Sequence, residues 1–148
     1  MSESISQLRL RQRRDYQFVN RFGDPVPELL SDEPVPLGQG AGPSPLQLLG
    51  AAVGNCLAAS LLFALRKYKQ QAEPIACDVQ VETGRNAEKR LRVSAITVRL
   101  TLGAAAAQIQ HLDRILGGFE DFCTVTGSIR QGIAVQVQVF DAQGSRLK

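Results

Sequence analysis

The amino-acid sequence predicts an α+β fold in which antiparallel strand pairs pack on one long central helix. Three observations carry this reading. Leu46 to Leu65 is twenty residues without a charge and follows Ser44-Pro45, a pair suited to opening a helix. Two runs, Ala76 to Thr83 and Arg92 to Leu102, alternate apolar and polar residues on either side of a polar loop, as half-buried antiparallel strands do. The order strand, strand, long helix, strand, strand, helices, strand joins neighbouring strands by short turns, which favours antiparallel pairing. The 148 residues suit a single domain spanning 1–148.

Each element has a local reason. Ile5 to Leu10 alternates, with Ile5, Leu8 and Leu10 apolar and Gln7 and Arg9 between them. Tyr16 to Arg21 is a second extended run, with Tyr16 and Phe18 on one face. Gly23-Asp24-Pro25 signals a turn, and Glu28 to Ser31 a short return strand. Asp32 to Pro43 reads as a loop by composition. Ser44 caps the long helix, Pro45 fits its first position, and the helix is expected to run to about Gln71, short of Pro74. In the next strand Cys77, Val79 and Val81 share a face opposite Asp78, Gln80 and Glu82. Gly84 to Arg90 is the hairpin loop, and Ile96, Val98, Leu100 and Leu102 point inward from its second arm. Gly103 to Gly117 changes to a helical period, with Ile109, Leu112, Ile115 and Leu116 as its stripe, and Gly117-Gly118 ends it. Phe119 to Gln131 is a second helical stretch, broken near Cys123 or Gly127. Ile133 to Phe140 closes the chain as a strand with Ile133, Val135, Val137 and Val139 inward.

A helix apolar on all sides cannot be covered by one face of a small sheet. The simplest second surface is the same helix of another subunit, so the sequence predicts a two-fold homodimer with these helices at its centre. With Arg66, Lys67 and Lys69 behind it, the same stretch also matches a membrane span with a positive flank. Gln47, Asn55, Ser60, Gly50 and Gly54 make it polar and small for that role, and the central helix of a non-membrane protein is the preferred reading.

Composition narrows the function. Hydrophobic residues make up 44% and charged residues 21%, which excludes wholesale disorder. Seventeen basic and 14 acidic residues leave a net charge of only +3, and aromatics are 5% with no Trp, so neither a strong phosphate-binding field nor base-stacking platforms are indicated. No nucleic acid is expected as a partner. The N-terminus lacks an apolar signal region, and three Cys are too few for a disulfide scaffold. The expected compartment is the cytoplasm, with thiols reduced at rest.

Few residues are candidates for chemistry. Gly38-Gln39-Gly40-Ala41-Gly42 precedes a helix, but its spacing is wrong for a dinucleotide fingerprint and no Lys-Ser or Lys-Thr follows. It reads as a flexible loop delivering the chain to the helix. His111 is the only His and reads as a partly exposed helix residue, so no metal site is expected, and no cofactor. The run Arg9, Arg11, Arg13 and Arg14 reads as the solvated face of an edge strand. Cys77 reads as an inert small hydrophobe. Pattern alone leaves Cys56, inside the long helix, open between that role and a reactive thiol.

Residues 40 to 56, GAGPSPLQLLGAAVGNC, resemble the helix signature of the OsmC/Ohr family, in which a glycine-rich loop leads a long helix to a reactive Cys. Residues 121 to 139, DFCTVTGSIRQGIAVQVQV, are similar to that family's second-cysteine segment and final strand. The resemblance implies an OsmC-like homodimer of intertwined subunits. It implies a thiol peroxidase that reduces organic hydroperoxides in oxidative-stress defence, with Cys56 as peroxidatic and Cys123 as resolving cysteine. An external dithiol, lipoyl-type or thioredoxin-like, would regenerate the pair.

The nucleophile toward peroxide is thiolate, and a free Cys with a pKa of about 8.5 is only a few per cent ionised at neutral pH. Cys56 lies about three turns into its helix, beyond the reach of the helix dipole. A cation is therefore needed. In the peroxidase subfamilies that cation is an Arg from the N-terminal strands, so the resemblance implies Arg21, at the end of the Tyr16 run, as the first candidate and Arg14 as the second. The peroxidase subfamilies carry a Glu near the helix start that holds the Arg. Here those positions are Leu46 and Gln47, and Gln47 can hydrogen-bond an Arg without supplying charge. Thr124 follows the second cysteine where the organic-hydroperoxide branch has Pro. These departures motivate an alternative: a non-enzymatic OsmC-like dimer that binds a small apolar ligand or acts in stress adaptation.

Overall fold

The structure, a computed structural model, describes residues 3–148. The chain divides into two compact units, one ending at Leu49 and the other running from Gly50 to Lys148.

The first unit holds an antiparallel sheet of three strands in sequence order, β1 (Arg9–Arg14), β2 (Gln17–Arg21) and β3 (Leu29–Ser31). The first strand begins at Arg9 rather than Ile5, and it is one of the two edges. Every one of its residues is exposed, as the charged arginines on an edge strand lead one to expect. Asn20 ties β2 to β3. Its Nδ2 donates to the Phe18 and Leu29 carbonyls at 3.1 Å and to Ser31 Oγ at 2.9 Å.

The glycine-rich loop is ordered by a carboxylate rather than flexible. Asp32 is 2% exposed and accepts the N–H groups of Glu33, Gln39 and Ala41 at 2.8, 3.2 and 3.0 Å. The Ala41 N–H does most to pull its pKa below the ordinary value, against the opposing effect of burial, with the Glu33 and Gln39 amides adding to it. A side chain at Gly38 would run into the Glu33 carbonyl, and one at Gly42 into the Leu30 carbonyl, so both positions need glycine.

Helix α1 (Pro45–Lys67) starts in a reciprocal cap. The Ser44 N–H donates to Gln47 Oε1 at 2.9 Å and the Gln47 N–H donates to Ser44 Oγ at 3.3 Å, a capping box. The helix ends four residues earlier than its sequence suggests. Lys69 takes a left-handed conformation, φ 57°. The Gln70 N–H reaches back to the Leu65 carbonyl and the Lys69 N–H to that of Arg66, the Schellman pattern usually supplied by glycine. By length and composition α1 is apolar enough to cross a membrane, yet one side of it is core: Val53, Leu57, Leu61 and Leu65 are fully buried.

In the second unit β4 (Ala76–Arg85), β5 (Leu91–Thr101) and β6 (Ala134–Phe140) form one sheet in that order. Val79 pairs with Val98 and Val81 with Ile96, and a bulge follows Glu82. Both arms of this hairpin extend further into the loop than the alternation indicated. The expectation of purely antiparallel sheets is corrected here, because β5 and β6 run parallel, with Val98 opposite Val137. The chain between them is long enough for the crossover that parallel pairing needs. Ile96, Val98, Leu100 and Val139 are fully buried from this sheet. Gly54 brings α1 close to β4: a Cβ there would stand 2.6 Å from Val79 Cγ2 and 3.1 Å from Cys77 Sγ.

The crossover is not the long helix that Gly103 to Gly117 suggests. It is a 3-10 turn, Ala106–Gln108, then α2 (Leu112–Gly118), a second 3-10 turn, Phe119–Phe122, and α3 (Thr124–Ile129). His111 breaks the expected helix, because its φ of 58° is left-handed and it precedes α2 instead of lying within a helix. Its ring lies 5.5 Å from that of Tyr68. The crossover is stitched to the loop that follows α1, since the Gly103 N–H donates to the Ala72 carbonyl at 2.7 Å and the Gln110 N–H to Gln70 Oε1 at 2.8 Å.

Candidate thiol site

Cys56 and Cys123 are neighbours within the second unit, close enough for one thiol to act on the ionisation of the other. Cys56 is half-buried on α1, and Cys123 is buried in the break between the second 3-10 turn and α3. Both are free thiols. Along one side of α1, Phe63 follows Cys56 by two turns and touches Phe122, with ring centroids 6.1 Å apart. Lys67 then places its ammonium 5.9 Å from the Phe122 ring centroid. Spacings of seven and four along a helix share a face, so this face of α1 lines up with the Phe122-Cys123 segment.

Burial raises the Cys123 pKa most. The neighbouring Cys56 thiol adds to the rise, while the hydroxyl and backbone N–H of Thr126 oppose it. The Cys123 thiol donates to Thr126 Oγ1 at 3.0 Å. Cys123 comes out extended (φ −84°, ψ 97°), which turns its side chain toward the first turn of α3. Just before it, Glu120 binds Arg130 Nη2 at 2.7 Å and the Lys148 ammonium. Burial pushes the Glu120 carboxyl up, but hydrogen bonds from Lys148 and Arg130 outweigh it and leave the pKa lowered.

The third cysteine is separate. Cys77 lies on β4, and its thiol donates to the Gly54 carbonyl at 3.7 Å. Its pKa is raised, first by burial and then by the Asp78 charge.

The remaining sequence candidates lie in the first unit. Arg21 Nε makes an ion pair with Glu28 at 2.7 Å, and Arg14 Nε donates to Gln17 Oε1 at 3.4 Å. Gln47 Oε1 is engaged by the helix cap. Sequence reasoning missed Glu28 as the carboxylate on Arg21, because it looked for that partner at the helix start. It also missed Thr126, whose only signal is its place three residues after a cysteine. Among the described residues no group of three or more His, Cys, Asp or Glu is arranged to hold a metal ion.

Comparison with known proteins gives one family and one fold. A family model described as OsmC-like protein matches residues 38–138. An OsmC-like protein of unknown function from Vibrio cholerae O1 biovar eltor is 17% identical, with a TM-score of 0.79 over 93% of this chain and 100% of that one. An organic hydroperoxide resistance protein OsmC from Legionella pneumophila is 16% identical, with a TM-score of 0.72 over 94% and 98%. The organic hydroperoxide resistance protein OhrB of Bacillus subtilis is 15% identical, with a TM-score of 0.68 over 92% and 98%. No curated protein matches the chain.

Proposed function

Because the chain belongs to the OsmC-like family, we propose that it is a thiol-dependent peroxidase that reduces organic hydroperoxides through Cys56 and Cys123. The observation that carries this reading is the closeness of these two free thiols, one half-buried and one buried. Cys56 thiolate attacks the peroxide O–O bond. One oxygen stays on sulfur as a sulfenic acid, and the other leaves as the alcohol after taking a proton. Cys123 sulfur then attacks Cys56 sulfur and releases water, leaving a disulfide. An external dithiol, lipoyl-type or thioredoxin-like, returns both thiols by exchange.

Arg21 is the cation proposed for the thiolate, with Arg14 second. Glu28 holds the Arg21 guanidinium by an ion pair, so the charged partner that Gln47 cannot supply comes from another position. The exposed side of α1, with Ala51, Ala52, Asn55, Ala59 and Phe63, supports a two-fold homodimer as the working form. The proposed place of action is the cytoplasm.

A second reading, a non-enzymatic dimer binding a small apolar ligand, draws on a cleft of about 320 Å³ in the first unit, lined by Leu10, Tyr16, Phe18, Pro45 and Leu48 among others. The two readings separate in one assay. Purified protein is given cumene hydroperoxide and dithiothreitol, and Cys56→Ser is run beside it. Peroxide consumption that the substitution abolishes supports the peroxidase. Equal consumption by both proteins removes Cys56 as the nucleophile. A Cys56–Cys123 disulfide formed by stoichiometric peroxide counts against the ligand binder.

A further inference from the structure

Thr126 is fully buried, and its Oγ1 lies 3.0 Å from Cys123 Sγ. Valine has the same shape and no hydroxyl to satisfy, whereas a buried hydroxyl needs a partner. Among the described residues the side-chain partner it has is that sulfur. The two cysteines also differ in access, since Cys123 is 2% exposed while Cys56 is half-buried. Within one chain Cys56 is therefore the more accessible of the two residues.

Building on the peroxidase reading, we propose that Thr126 is a catalytic residue of the regeneration step, where it hydrogen-bonds the Cys123 sulfur as that sulfur leaves and so directs the external thiolate to Cys56. The reductant's thiolate attacks Cys56 Sγ and forms a mixed disulfide. The Cys56–Cys123 bond breaks, and its electron pair goes to Cys123 Sγ. The Thr126 hydroxyl, an acceptor from the thiol in the reduced state, rotates to donate to the new thiolate. Cys123 then takes a proton from solvent. The reductant's second sulfur attacks the mixed disulfide, releases Cys56 and leaves as the oxidised dithiol, so two electrons pass from dithiol to protein. Exchange rates depend on the leaving thiol's pKa, on which sulfur is attacked and on access. Burial alone makes Cys123 a poor leaving group, and hydrogen bonds to a charged sulfur are the stronger kind. Thr126 acts in that direction on the Cys123 thiol.

The test begins with protein oxidised by diamide, whose reduction by dithiothreitol at neutral pH is followed by alkylation and mass spectrometry. Thr126→Val is expected to be reduced about tenfold more slowly than the parent, and Thr126→Ser within about threefold of it. Thiolate absorbance in a Cys56→Ser background is expected to show a higher Cys123 pKa with Val at position 126 than with Thr. A monothiol given to the oxidised parent is expected to be trapped on Cys56, a measurement that does not depend on any variant folding. Reduction of Thr126→Val at the parent rate overturns the proposal. So does Thr126→Ser as slow as Thr126→Val, or a monothiol trapped on Cys123. If diamide does not join Cys56 to Cys123 in the parent, the peroxidase reading itself fails and the proposal falls with it.

Discussion

Cys77 and Cys123 are both thiols whose pKa values burial pushes up, yet their surroundings differ in kind. Cys77 faces the Gly54 carbonyl and has the Asp78 carboxylate beside it. A carbonyl accepts a thiol proton but offers a thiolate nothing, and the carboxylate repels it. Cys123 has a hydroxyl, an N–H and a second sulfur. Burial alone makes an unreactive thiol. What distinguishes Cys123 is a set of donors that can hold negative charge on sulfur, together with a partner sulfur to exchange with.

The sharpest way to break this contrast is by substitution. Cys56→Ser is expected to lower peroxide consumption by about a hundredfold or more, because serine is a far weaker nucleophile at neutral pH. Cys77→Ser is expected to stay within about twofold of the parent, since its role is packing. A loss with Cys77→Ser comparable to that with Cys56→Ser would erase the distinction.

A smaller effect tests the packing side. Gly54→Ala is expected to destabilise the protein by about 1–2 kcal/mol, because the overpacking cost exceeds the gain in helix propensity. The new methyl would press on Val79 and Cys77. Gly117→Ala, near the end of α2 and facing open space, is the control. Equal urea midpoints for Gly54→Ala and the parent would show that α1 and β4 can separate freely.

The smallest effect is on pH dependence. Cys77 and Cys123 have folded pKa values above the unfolded thiol value, which is about 8.5. Above that pH the unfolded chain loses protons that the folded chain keeps, so stability is full below it and declines as pH rises toward the folded values. Cys77→Ala is expected to flatten part of this decline in urea titrations run from neutral pH upward. An unchanged slope would mean that Cys77 ionises as easily folded as unfolded.

Legibility in the sequence followed how local each cause is. The start of α1 was readable because Ser44 and Pro45 act within one turn. The helix-capping bond of Gln47 to Ser44 is equally local, yet a glutamine at that position does not announce it. The end of α1 was not readable, because a lysine fills the left-handed position that glycine usually marks. The β4 and β5 faces were plain from alternation, but the parallel pairing of β6 depends on where a long crossover returns. The alanines after Gly103 suggested a helix that His111 interrupts, and a positive φ at histidine leaves no trace in periodicity. At the site, the two cysteine contexts were recognisable. Glu28 and Thr126 were not, because each acts through a contact that the order of residues does not encode.

The adjacency of Cys56 and Cys123 in the reduced chain has a thermodynamic corollary. Bringing two such distant positions together costs an unfolded polymer a large loss of freedom, on the order of 4 kcal/mol for a loop of this size in the chain-entropy account. The fold has already met that cost before any oxidant arrives. On the proposed chemistry the Cys56–Cys123 disulfide restricts mainly the denatured ensemble, so the chain is harder to melt with that bond closed than with both thiols reduced.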